Sequence, residues 1–190
     1  MDRIPKDKYY TFDPRAYEPM REIFSKIGTF IEPCAGGGDM IIGVEVLGPK
    51  CIYACDIEPD DPTWVPDEET DLNIVTGSYD GVPKKLLRKA DYIITNPPWT
   101  RADMHAFIQW CIESGVPAWL LLDSNWAWTK QARPFLTYCS DIVPTARLKW
   151  IPGTKHAAKD DTSWYRFQSE PCETILRNCD PPKNLADDLL

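Results

Sequence analysis

A short apolar strand, three consecutive glycines and a helix start follow one another between Thr29 and Asp39. This run restricts the possible folds more than any other in the chain. Thr29-Phe30-Ile31-Glu32 is apolar enough for a buried strand. Gly36-Gly37-Gly38 lets the backbone take positive φ and approach a ligand closely. Asp39 is placed to cap a helix from Met40 to about Leu47, with Gly48 to close it. A second apolar strand, Cys51 to Cys55, ends at Asp56, twenty residues beyond Gly36. An acidic side chain at that offset can accept hydrogen bonds from both hydroxyls of a ribose.

The same alternation continues along the chain. Asp13-Pro14 starts a helix whose face carries Ala16, Met20, Ile23, Phe24 and Ile27, and Gly28 ends it. Strands are predicted at about 29–32, 51–55, 72–76, 91–95 and 117–122. Helices are predicted at about 40–47, 82–89, 103–114 and 126–138. A proline-containing loop over 57–71 stands where a further helix would be expected. Arg147–Ile151 and Ser163–Gln168 read as a late strand pair joined by a polar loop. The expected fold class is α/β: a Rossmann-like, doubly wound, mostly parallel sheet with a C-terminal antiparallel strand pair. One domain over 1–178 and a polar tail over 179–190 account for the length.

The fourth predicted strand, Tyr92-Ile93-Ile94-Thr95, runs into Asn96-Pro97-Pro98-Trp99. Open α/β sheets bind ligands at such carboxyl ends. Asn96 offers a side-chain carbonyl. Pro97 offers a backbone carbonyl without a competing N–H. Pro98 biases Pro97 toward an extended conformation, which fixes the direction of that carbonyl. Trp99 adds a flat apolar face. Two aimed acceptors beside an aromatic plate suit a planar ring bearing an exocyclic amine. The bland alternative is a Pro-Pro turn that merely ends a strand.

In this order and spacing the motifs resemble those of class I S-adenosylmethionine-dependent methyltransferases. The resemblance is to the amino-methylating group that includes DNA adenine-N6 enzymes, and it covers roughly residues 8 to 168. Glu32-Pro33-Cys34-Ala35-Gly36-Gly37-Gly38 is similar to that group's first cofactor motif, and Asp56-Ile57-Glu58-Pro59 to its second. Asn96-Pro97-Pro98-Trp99 is similar to its catalytic motif. Tyr9-Tyr10-Thr11 resembles the amino-terminal motif, which would put Tyr10 and Thr11 beside the cofactor's methionine end. Trp164-Tyr165-Arg166-Phe167 resembles a later motif that helps hold the target base. The texture around Arg147 to Ile151 and Lys159 to Phe167 also resembles short bacteriophage methyltransferases. Ser78 stands where family members often carry an acidic residue toward the cofactor's adenine, and Asp80 is an alternative. What the resemblance implies is S-adenosyl-L-methionine as cofactor and transfer of a methyl group to the N6 amine of adenine in DNA. No metal is called for. A covalent cysteine is not called for either, which argues against methylation at carbon 5 of cytosine.

The net charge of −8 is awkward for a nucleic-acid enzyme. Much of the acid is gathered between Glu58 and Asp71. Basic residues lie later, including Lys149, Lys155, Lys159 and Arg166, interleaved with Trp150, Trp164 and Tyr165. Positive charge with aromatics can grip a backbone and stack bases, or can simply be a solvated face. The expected substrate contacts are Trp99, Lys155, Lys159, Trp164, Arg166 and Phe167. For Trp164 and Phe167 strand core is the competing reading.

No stretch has the size of a separate DNA-recognition domain. Target choice would come from short loops, from a partner subunit or homo-oligomer, or be weak. Three other readings stay open: amino methylation of RNA, of a protein glutamine, or cofactor binding without catalysis. A nicotinamide dehydrogenase is disfavoured because no Gly-x-Gly-x-x-Gly follows the first strand. No apolar run is long enough to span a bilayer, and the first residues lack an apolar signal core. Seven cysteines without a Cys-x-x-Cys pair and two isolated histidines fit a reduced, cytoplasmic chain, which would be the host cytoplasm for a phage protein.

Overall fold

The computed structural model describes residues 11–60, 72–145, 147–150 and 157–177. Tyr10 and Lys155 lie outside the described residues. An eight-stranded mixed sheet forms the centre. Its strands are β1 (Thr29–Glu32), β2 (Lys50–Asp56), β3 (Ile74–Thr76), β4 (Tyr92–Thr95), β5 (Ala118–Asp123), β6 (Cys139–Pro144), β7 (Thr162–Phe167) and β8 (Ile175–Leu176). Their order is β3-β2-β1-β4-β5-β7-β6-β8. From β3 to β5 all pairs are parallel. β7 runs antiparallel between β5 and β6, and β8 pairs parallel to the outer side of β6. The chain builds outward from β1 to β3, then returns to lay β4 on the other side of β1. The crevice at the carboxyl ends of β1 and β4 is therefore the topological switch point, the expected ligand position.

Side chains of β5 alternate between the two faces, as the strand period requires. Trp119 and Leu121 join Phe24, Phe30 and Trp164 on one face. Ala118, Leu120 and Leu122 join Phe107, Trp126, Tyr165 and Phe167 on the other. The second face is covered by α4 (Arg101–Ser114), which buries Met104, Phe107, Ile108, Cys111 and Ile112. Those positions recur at three- and four-residue intervals, one stripe of a helix. Gly115, at φ 75, ends it. The other α-helices are short: α1 (Arg21–Phe24), α2 (Asp39–Glu45), α3 (Lys84–Leu87) and α5 (Arg133–Leu136). Among the described residues no helix is long and apolar enough to cross a membrane.

Three local expectations are corrected. The helix expected from Pro14 is broken into 3₁₀ turns at Pro14–Ala16 and Glu18–Met20 before α1, because Pro19 interrupts it. Its apolar face still packs, with Ala16, Met20, Phe24 and Ile27 buried. The helix expected over 126–138 is a 3₁₀ turn at Ser124–Trp128 followed by α5, with Pro134 at its start. The late strand pair is β6 with β7, while Arg147–Trp150 forms no strand. The partner of β7 is thus Cys139–Pro144, whose buried Asp141 makes ion pairs with Arg166 and Arg177.

Candidate active site

Three adjacent strand ends carry the polar groups singled out from the sequence. Glu32 closes β1 and is 1% exposed. Its Oε1 accepts from the Thr95 hydroxyl at 3.5 Å, while Oε2 is buried without a partner among the described residues. Burial, followed by the nearby charge of Asp56, pushes the Glu32 carboxyl well above the usual carboxylate range.

Beyond Glu32 the chain turns sharply through buried Pro33 and half-buried Cys34. The Ala35 N–H donates to Cys55 O at 3.0 Å, and the Gly38 N–H to Ala35 O at 2.8 Å. Gly36 and Gly38 sit at φ 53 and φ 86, the left-handed region that a side chain resists. A Cβ added at Gly36 would meet nothing within 4 Å, so the loop faces open space there. The residue capping α2 is Gly38, and Asp39 is the first helical residue, which corrects the expected cap. Burial raises the Asp39 carboxyl, with the charge of Asp60 adding to the effect.

Asp56 closes β2 and ties the crevice together. Its Oδ2 accepts from the Gly36 N–H at 2.9 Å, and its Oδ1 from the Glu58 N–H at 2.9 Å. The side chain is only 2% exposed, and the Asp60 N–H donates to Gly36 O at 3.2 Å, which folds residues 57–60 toward the glycine turn. A ribose reaches this carboxylate only if that segment yields. Ile57 beside it is 60% exposed. The Gly77 N–H donates to Asp56 O at 2.8 Å and brings half-buried Ser78 to the end of β3, next in line along the crevice.

At the end of β4, Asn96 is held from both sides. Its Nδ2 donates to the Thr11 hydroxyl at 3.2 Å, and its Oδ1 accepts from the Trp99 indole N–H at 2.9 Å. The same indole N–H lies 3.3 Å from Leu121 O, which fastens the turn to β5. Trp99 packs edge-on against Trp150, with ring centroids 5.4 Å apart. Thr11 is fixed in turn, because Tyr17 donates its hydroxyl to Thr11 O. The Pro97 carbonyl meets no donor among the described residues. Pro98 is half-buried beside it. Thr11, Glu32, the glycine turn, Asp56 and Asn96 thus converge on one crevice.

The later aromatic motif does not join them. Trp164 is fully buried, donates its indole N–H to Ala16 O at 2.7 Å and packs edge-on against Phe24. Phe167 is fully buried and stacks with Tyr165 in the α4 layer. Arg166 pairs in register with Trp119 near the amino end of β5, away from the crevice. It reaches Asp141 at 3.6 Å and the Tyr92 hydroxyl at 3.1 Å. The expected substrate contacts are therefore corrected: Trp164 and Phe167 pack in the core, and Arg166 bridges Asp141 and Tyr92 across the sheet. Lys159 is exposed and precedes Thr162, which pairs with Asp123, so it lies at the crevice edge of the sheet. Trp128, which the sequence reading did not single out, is 85% exposed on that same edge.

No protein-family profile and no curated protein sequence matches the chain. Solved structures do match. A candidate class I S-adenosylmethionine-dependent methyltransferase from Listeria monocytogenes superposes with a TM-score of 0.57 at 12% identity, covering 92% of this chain and 65% of that one. A chain of a type I restriction-modification system gives 0.52 at 14% identity, over 90% of this chain and 45% of that one. A candidate hemolysin from Lactococcus lactis gives 0.61 at 9% identity, over 90% and 94%. The chain spans less than two thirds of the first two. The fold is that of the class I S-adenosylmethionine-dependent methyltransferases. Neighbours with such different descriptions share the sheet, so function must be argued from the crevice and not from the fold.

Proposed function

We propose that this chain is an S-adenosylmethionine-dependent methyltransferase acting on the exocyclic N6 amine of adenine in DNA. The observation that carries this reading is the Asn96 carboxamide, braced by Thr11 and Trp99 beside an unengaged Pro97 carbonyl, at the switch point of the sheet. The crevice suits the cofactor on three counts. Glu32 holds a buried oxygen without a partner among the described residues, the glycine turn faces open space, and the Asp56 carboxyl accepts from the backbone of that turn. Asp56 and Ile57 would take the ribose and adenine, with Ser78 near the base. Thr11, Glu32 and the turn from Pro33 to Gly38 would take the methionine end. Tyr10, outside the described residues, stays a proposal from the sequence alone.

The cofactor supplies an electrophilic methyl group on a sulfonium. The protein's task is to present an amine to it. An adenine amine is a weak nucleophile because its lone pair is spread into the ring. Asn96 Oδ1, through its second lone pair, and the Pro97 carbonyl would accept the two N–H bonds. Positive charge developing on the nitrogen is stabilised where it forms. The bracing of Asn96 means little reorganisation is needed at that moment. Lys159 is kept as a backbone contact, and Lys155, outside the described residues, remains a candidate. A paired base must leave its stack to reach the crevice, and a single strand avoids part of that cost.

The test is transfer of labelled methyl groups to duplex DNA, single-stranded DNA, RNA and cell protein in parallel, with the product nucleosides resolved. N6-methyladenine in DNA is the expected product. Label in RNA or protein glutamine alone would replace DNA as the substrate. Cofactor binding without transfer to any of them would reduce the chain to a binding protein.

A further inference from the structure

Trp128 is the most exposed large apolar side chain among the described residues, at 85%. It sits in the 3₁₀ turn Ser124–Trp128 that leaves the carboxyl end of β5, the strand beside β4. Asp123 anchors that turn by accepting from the Asn125 N–H at 2.8 Å. Trp126 points the other way: it is buried, and its indole N–H donates to His105 Nε2 at 3.1 Å. His105 also packs on Phe135 with ring centroids 4.9 Å apart. These contacts hold the turn against the first turns of α4, the helix that begins two residues after Trp99. Trp128 therefore projects to solvent from a fixed base beyond the carboxyl end of β5, on the same side of the sheet as the crevice.

Asp123 and Asp161 flank the start of the turn, whereas the chain that follows Trp128 is basic. In a chain of net charge −8, residues 124–138 contain Lys130 and Arg133 and no acidic side chain. Both are exposed, as is Arg101 at the start of α4. A solvent-facing tryptophan followed within five residues by two exposed cations suits a polyanion with accessible flat rings. A duplex hides its base faces, whereas a single strand offers them.

We infer that Trp128 stacks on an unpaired base of single-stranded DNA flanking the target, while Lys130 and Arg133 hold its phosphates. This rests on the reading of the substrate as DNA. The test is fluorescence anisotropy of labelled single-stranded DNA, matched RNA and duplex DNA with the full chain, beside methyl transfer and calorimetric cofactor binding. Trp128→Ala is expected to weaken single-strand binding by about tenfold or more, with Trp128→Phe retaining most of it. Cofactor affinity should stay unchanged in both. Lys130→Ala with Arg133→Ala should make log K fall less steeply with log salt, by about 1.4 in slope. Wild-type affinity in folded Trp128→Ala would overturn the stacking assignment even if methyl transfer to DNA proceeds. Tighter binding of RNA than of DNA would overturn the choice of DNA. Binding that depends on Trp128 without any methyl transfer would support the surface and reject the catalytic reading instead.

Discussion

The Trp99 indole N–H and the Asn96 side-chain carbonyl are hydrogen-bonded at 2.9 Å. An amide can rotate so that nitrogen and oxygen exchange places, and only its neighbours decide which faces the crevice. An indole N–H only donates, so Trp99 requires the oxygen on its side. The Thr11 hydroxyl at 3.2 Å accepts from the amide nitrogen on the other. Removing the amide should separate chemistry from cofactor binding. Asn96→Ala is expected to lower turnover on the order of a hundredfold, as for loss of one oxyanion-hole donor. Cofactor affinity, read by calorimetry, should barely move. Loss of both together would make Asn96 structural.

Asp56 accepts from the Gly36 and Glu58 N–H groups and so also shapes the glycine turn. Asp56→Ala is expected to weaken S-adenosylmethionine binding by roughly 1.5–3 kcal/mol, the range for hydrogen bonds to a charged group. Asp56→Asn should lose less, since its carbonyl can keep one of the bonds. Unchanged affinity in a folded Asp56→Ala protein would move the ribose site elsewhere.

Glu32 gives a pH prediction. Burial, and then the Asp56 charge, keep its proton bound to higher pH in the folded chain than in the unfolded one. Unfolding therefore releases a proton above the unfolded value of about 4.3, and stability falls as pH rises from there toward the raised folded value. Glu32→Gln imitates the neutral form. It should be more stable than the parent at pH 8, with the difference shrinking toward pH 4. Urea denaturation across that range reads it directly. Parallel curves for the two proteins would contradict the assignment.

A fourth prediction starts at Gly43 on α2. A Cβ there would stand 2.3 Å from the Tyr17 ring, which is 6% exposed, so ring or helix must shift. Tyr17 holds Thr11, and Thr11 holds Asn96. Gly43→Ala should cost about 1–3 kcal/mol of stability by overpacking. It should also lower turnover at saturating cofactor, although Gly43 is not one of the crevice residues. Normal stability and normal turnover would show that the ring slides aside freely.

Much of this arrangement was legible in the chain itself. β1, β2, β4 and β5 are apolar runs with turn residues behind them, and the crevice residues stand at their ends. β6 was not legible. Its Ser140 and Asp141 are polar, and they are buried only because Arg166 and Arg177 arrive from distant segments. The first helix kept its apolar stripe but lost its regularity to Pro19. Trp164 and Phe167 misled for a different reason. β7 is covered on both faces, so every position but Arg166 is core and alternation does not pick out an outward-facing stripe. Trp128 went unnoticed because one letter cannot tell a tryptophan facing solvent from Trp126, two residues earlier, facing the core.

The position of β7 also dictates an order of events. It is made after β6 yet lies between β6 and β5. A growing chain can assemble β1 to β5 early, because each of those strands meets its neighbour as it appears. β5 then waits with an unpaired edge flanked by Trp119, Leu120 and Leu121 until residue 167 has emerged. β6, already synthesised, has nothing to dock on during that interval. An open apolar edge is where chains associate wrongly. Strand β7 thus acts as the closing stitch of the sheet, and a growing chain is most exposed to aggregation just before that stitch is made.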